Sequence, residues 1–236
     1  MIVEHFFPDR KSLFSSMAEE CKSILTNGIL ENGSATMLVS GGSTPLPLYQ
    51  KLSGSDLSWS NIKVALVDER WVDDDHPGSN ASFIKTSLLQ DRAKEAAFVN
   101  MKTDDDTAEQ GLIQCEEFYK ELQTPFDLTI LGMGADGHTA SLFPYSKGLE
   151  LALDKKNESI CTAIQANQSD VTGELTERMS LTISGLMKSR QLHLLITGEE
   201  KLAVYRQALS HSQEELMPIS AILHQYEIPV IVYWAP

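Results

Sequence analysis

An apolar run, Asp127-Leu128-Thr129-Ile130-Leu131, passes without interruption into Gly-Met-Gly-Ala-Asp-Gly-His, and this junction constrains the fold more than any other stretch. The run reads as a buried strand bounded by turn signals. Gly132, Gly134 and Gly137 follow within six residues, so the backbone is free to turn sharply where the strand ends. Asp136 and His138 sit in that turn, and Thr139 to Phe143 read as a short helix that Pro144 interrupts. Strand, flexible turn, helix start: open α/β sheets place their ligands at such a junction. A histidine there suits general-base chemistry, because its unperturbed pKa lies near neutrality. A structural Asx turn followed by a solvated histidine fits the local pattern equally well.

A second junction has the same form. Ala35 to Val39 reads as a strand and leads into Ser40-Gly41-Gly42-Ser43-Thr44-Pro45. The glycine pair lets the backbone approach a ligand, Thr44 reads as an N-cap, and Pro45 suits the first helical position. Backbone N–H groups and a helix dipole at that point make an anion site, which the sequence favours over an ordinary capped loop. The loop is neither a P-loop nor a GxGxxG fingerprint.

Further strands are expected at Ile62 to Val67, Ala96 to Asn100, Ser159 to Ile164, Gln191 to Thr197 and Pro229 to Trp234, with a short one near Ile2 to Phe7. Helical stripes run from Leu13 to Leu25, ending near Asn27-Gly28 or Asn32-Gly33, and from Ala108 to Leu122. Ser79 or Asn80 should cap a helix through Leu88-Leu89, and another should run from Glu199-Glu200-Lys201 to Leu209. No linker or repeat divides the chain, so one α/β domain over residues 1–236 is expected, with a mostly parallel, Rossmann-like sheet flanked by helices.

Several charged residues fall at strand ends. Asp68 and Arg70 follow the 62–67 strand, and Arg178 stands alone in Glu177 to Ile183, which reads as a helix or strand start. Lys201 occupies a first helical turn, where a cation opposes the dipole, so an anion partner is expected unless a neighbouring glutamate satisfies it. The run Asp73-Asp74-Asp75 lacks the alternating spacing and closing Glu of a calcium loop and reads as solvated.

Charge limits the partners. A net charge of -14 argues against a nucleic-acid surface, so an anionic substrate needs a local cluster of donors. No basic segment followed by an apolar core opens the chain, and no apolar run approaches the roughly 20 residues of a membrane span, so a cytoplasmic protein is expected. Cys21 and Cys115 fall on apolar helical faces, and with the distant Cys161 they read as buried free thiols. A phosphate cradle beside a histidine and an arginine implies a phosphorylated small molecule whose other end undergoes acid–base or hydrolytic chemistry. With no nucleophilic elbow and no metal-ligand spacing, a histidine-activated water is the simplest attacking group.

Five motifs in order also carry a resemblance: SGGSTP at 40–45, DERWV at 68–72, GMGADGHTASLFP at 132–144, ERMSLT at 177–182 and TGEEK at 197–201. Together they resemble the 6-phosphogluconolactonases, whose superfamily includes the glucosamine-6-phosphate deaminases. The resemblance implies a cofactor-free, cytoplasmic enzyme that hydrolyses 6-phospho-D-glucono-1,5-lactone in the pentose phosphate pathway. By the same resemblance His138 is the base, Asp136 orients it, and Arg70 contacts substrate and stabilises the developing oxyanion. Gly41, Gly42, Ser43, Thr44, Asp68, Arg178 and Lys201 are the expected substrate- and phosphate-binding residues. No nucleic-acid or membrane partner is implied, and the chain is expected to be a monomer or small homo-oligomer.

Two alternatives differ in class. A deaminase carries Tyr where this chain has Arg70, and an acid where it has Phe143, which cannot move protons. Ring opening and amine loss need that acid–base pair, whereas lactone hydrolysis needs chiefly one base. A non-catalytic sugar-phosphate sensor would need a DNA-binding or partner domain, for which there is neither spare length nor basic surface.

Overall fold

A computed structural model describes residues 1–210 and 212–236 of the chain. The strands are β1 (Ile2–Phe6), β2 (Ala35–Val39), β3 (Ile62–Leu66), β4 (Asp68–Arg70), β5 (Ala97–Val99), β6 (Leu128–Leu131), β7 (Cys161–Gln165), β8 (Glu177–Leu181), β9 (Leu192–Thr197) and β10 (Val230–Ala235). The α-helices are α1 (Arg10–Asn32), α2 (Leu46–Ser53), α3 (Asn80–Ser87), α4 (Ala108–Lys120), α5 (Leu149–Leu153), α6 (Ile183–Leu186), α7 (Glu199–Ser210) and α8 (Ile219–Leu223).

Local chemistry explains the longest helix. Asp9 accepts a hydrogen bond from Ser12 N at 2.7 Å, which caps α1. Leu13, Phe14, Met17, Ala18, Cys21 and Leu25 recur at helical spacing and are buried. The helix ends where Gly33 adopts a φ of +79°. Of the two expected endings, the later is found.

Seven strands form a parallel sheet in the order β1-β10-β9-β6-β2-β3-β5. All residues of β2 and β6 are buried, as a parallel sheet covered on both faces requires. Asp127, just before β6, is buried too. Its carboxylate accepts from Thr36 N (2.8 Å) and from Arg190 Nε (3.1 Å), tying β2 to the segment before β9. From β2 the chain builds outward through β3 and β5. It then returns to β6 on the other side of β2 and builds toward β9 and β10. The sheet's order of assembly therefore reverses between β2 and β6, and the loops after both strands open into one crevice.

The second sheet was not expected. β4, β8 and β7 are antiparallel, with Asp68 opposite Ser180 and Arg70 opposite Arg178. Val67 links the sheets, since its N–H donates to Val39 and its carbonyl accepts from Leu181 N. This settles the ambiguous 177–183 segment as a strand followed by a short helix.

Two local expectations are corrected. Residues 139–143 form a turn, not a helix, with Ala140 at a φ of +49° and an isolated bridge between Thr139 and Leu142. Tertiary bonds override the helical pattern: Thr139 Oγ1 donates to Gly132 O, Ser141 Oγ to Asp68, and Ser141 N to Ser180 Oγ. Thr44 does not cap α2 either. Pro45 holds the cap position with no side-chain hydrogen bond, so the helix starts at Leu46.

Candidate active site

A cleft of about 490 Å³ lies over the β2–β6 reversal point. Its lining includes Gly41, Gly42, Ser43, Thr44, Asp68, Arg70, His138, Arg178 and Lys201. Nine of the ten residues singled out in the sequence thus meet in one cavity. Asp136, the tenth, stands behind His138.

The β2 loop is fixed at its root, where Ser40 Oγ donates to Ile130 O and Ser40 O accepts from Tyr49 Oη, both at 2.8 Å. Gly42 has a φ of +96°, which L side chains rarely adopt. Gly41 lies against Asn80, and a Cβ added there would collide with the Asn80 carboxamide. Asn80 in turn donates to Asp68 O at 2.9 Å.

In the β6 loop, Asp136 Oδ1 lies 2.6 Å from His138 Nδ1 and also accepts from His138 N at 3.1 Å. Gly134 N donates to His138 O at 2.8 Å, closing the turn around the pair. Any Cβ at Gly134 would overlap both the imidazole and the Asp136 carboxylate. Burial pushes the Asp136 pKa up, but the hydrogen bond and charge of His138 outweigh it and hold the carboxylate below its ordinary range. An ionised Asp136 fixes the proton on Nδ1 and leaves Nε2 as the basic nitrogen. The imidazole also packs on Phe143, with ring centroids 4.3 Å apart.

The cations come from the antiparallel sheet and from α7. Arg70 donates through Nη1 to Gly78 O at 2.5 Å, while its Nε is buried without a partner among the described residues. Arg178 is 3% exposed and donates to Leu175 O (2.6 Å) and Thr172 O (3.1 Å). Burial, and then the charge of Arg70, bring its pKa down to about 10, so it remains cationic at neutral pH. Burial also lowers the pKa of Lys201, against the opposing pull of Glu200 and Asp136. The Asp68 carboxylate accepts from Ser141 Oγ at 2.6 Å.

Sequence reasoning missed Asn80 as a lining residue, having read it only as a helix cap. It also missed Glu69, which is fully buried. The Glu69 carboxylate accepts from the N–H groups of Arg70, Asn80 and Ala81 and from Ser79 Oγ, binding β4 to the start of α3. Burial pushes its pKa up to about 7, opposed by those backbone donors. A charged residue inside DERWV was visible, but nothing local marked it as buried.

The arrangement offers one oriented base facing a cradle of backbone and cationic donors. The family model described as glucosamine-6-phosphate isomerases/6-phosphogluconolactonase matches residues 8–231. A 6-phosphogluconolactonase of Rhizobium meliloti is 37% identical over 232 residues, covering 98% of each chain. One from Pseudomonas aeruginosa is 36% identical over 220 residues, 93% of this chain and 89% of that protein. The crystal structure of a 6-phosphogluconolactonase from Shewanella baltica OS155 superposes with a TM-score of 0.94 at 39% identity, covering 100% of this chain and 98% of that one.

Proposed function

The chain belongs to the family of glucosamine-6-phosphate isomerases and 6-phosphogluconolactonases, and from that premise we propose that it hydrolyses 6-phospho-D-glucono-1,5-lactone to 6-phosphogluconate, using water activated by His138. The whole chain acts as one catalytic domain, in the cytoplasm, where the three buried free thiols suit a reducing medium. The observation that carries the lactonase reading is the His138–Phe143 contact. One base paired with Asp136 opens on the cleft, and Phe143, where the resemblance puts an acid in the deaminases, instead holds an aromatic ring 4.3 Å from the imidazole.

In this reading, Nε2 of His138 takes a proton from water while the oxygen attacks the C1 carbonyl. Asp136 stabilises the imidazolium that forms. Arg70, with its unpartnered Nε, supports the oxyanion. Collapse of the tetrahedral intermediate breaks the bond from C1 to the ring oxygen, which leaves with the imidazolium proton. The Gly41–Thr44 backbone, Arg178 and Lys201 hold the 6-phosphate through charge-assisted hydrogen bonds.

The direct test is hydrolysis of 6-phosphogluconolactone, corrected for spontaneous opening, with glucosamine 6-phosphate as the control substrate. Lactone turnover that falls about 10²–10⁴-fold in His138→Ala is expected, with no ammonia released from the amino sugar. Near-parental turnover in that variant would remove His138 from the mechanism.

A further inference from the structure

A single hydrogen bond at Nδ1 anchors one edge of the His138 imidazole but leaves its plane free to swing about that anchor. Gly134 abuts the same edge, near Nδ1 and Cε1. The face of the ring meets Phe143, with centroids 4.3 Å apart and planes 37° from parallel. Phe143 is itself held firmly. It is 4% exposed, and its carbonyl accepts both the N–H (3.2 Å) and the hydroxyl (2.9 Å) of Ser146. The Arg178 guanidinium lies 5.4 Å from the centroid of its ring. Arg178 is fixed in turn by the carbonyls of Leu175 and Thr172, in the loop between β7 and β8.

We propose that Phe143 is a positioning residue for the His138 base: braced by Arg178, its ring sets the imidazole plane so that Nε2 points at the attacking water. The inference rests on the reading of His138 as the base. A ring in van der Waals contact with an imidazole face restricts rotation that the Asp136 bond alone permits, and misorientation of a catalytic group is costly in rate. Phe143 also lines the cleft, so its role must be separated from substrate binding. An orienting residue acts on kcat, whereas a binding contact acts on KM.

The test compares Phe143→Met, which keeps bulk and loses the ring, with Phe143→Tyr, which keeps the ring. Thermal melts accompany the kinetics. Phe143→Met should lower kcat by about tenfold with KM within roughly twofold, and Phe143→Tyr should stay within about threefold of the parent. Independently of activity, the His138 Cε1–H proton resonance, identified by its absence in His138→Ala, should be displaced by the Phe143 ring current. In Phe143→Met it should move toward the value of a free histidine. An undisplaced resonance in the parent protein overturns the inference without any variant. So does a folded Phe143→Met with parental kcat, or one altered only in KM. If His138→Ala is inactive in that case, the base assignment stands alone. If His138→Ala is fully active, the base assignment itself falls, and the inference falls with it.

Discussion

Lys201 is the residue that best separates holding the substrate from transforming it. It is the third residue of α7, after Gly198 at a φ of +86°, and it lines the cleft. Losing one charge-assisted contact to a phosphate costs on the order of 1.5–3 kcal/mol, or roughly 10- to 150-fold in kcat/KM. Lys201→Ala should show that loss toward 6-phosphogluconolactone and little change toward unphosphorylated gluconolactone. An unchanged ratio of the two efficiencies would place Lys201 outside the phosphate site. Lys201 was legible because a cation in a first helical turn opposes the dipole, and Arg178 because it stands alone in its segment. Glu69 was not, and Phe143 was legible only as a side chain that cannot move protons, since the partners of both come from residues that only the fold brings near. Thr44 failed as a cap because the helix begins one residue after Pro45.

Among the elements, β9 carries an acid-labile point. His193 is fully buried, stacks on Tyr233 with centroids 5.6 Å apart, and has no hydrogen-bond partner on either ring nitrogen among the described residues. Burial, aided by the charge of His5, lowers its pKa from 6.5 to about 4. The unfolded chain therefore binds a proton that the native chain refuses between those values. Stability from this group is complete above pH 6.5 and is lost as pH falls toward 4, reaching roughly 3 kcal/mol. Urea unfolding at pH 7 and pH 4.5 should show a smaller acid loss in His193→Leu than in the parent. Equal losses would assign the acid sensitivity to other groups. Strands such as β9 and β2 could be read from their apolar runs, and α1 from its stripe and cap. The β4-β8-β7 sheet could not, because β4 joins it by pairing with residues of β8 more than a hundred positions away. The 139–143 turn was misread for a related reason: its helical composition yields to the bonds that Ser141 donates to Asp68 and Ser180, which no local pattern records.

Across the whole molecule, the proposed mechanism calls only on organic side chains and the backbone. Among the described residues no group of three or more His, Cys, Asp or Glu is placed to hold a metal ion, and Asp74 of the acidic run is engaged by Lys85 and Asn100. Lactonase activity should survive exhaustive chelation, and loss on EDTA restored by a divalent ion would reopen the role of Asp73 to Asp75. The alternation of strands and helices made the α/β class legible, and the glycine-bearing strand ends pointed to the site. The strand order that joins them was not written in any local pattern. That order also sets where the protein tolerates growth. The cleft sits at the seam between β2 and β6, while β1 and β5 form the outer margins of the sheet. Length added near β1 or β5, as a fusion or a longer connection, should leave the catalytic geometry alone. One residue inserted between Gly132 and His138 should break it, because it would part the Asp136–His138 pair from the strand end that positions it.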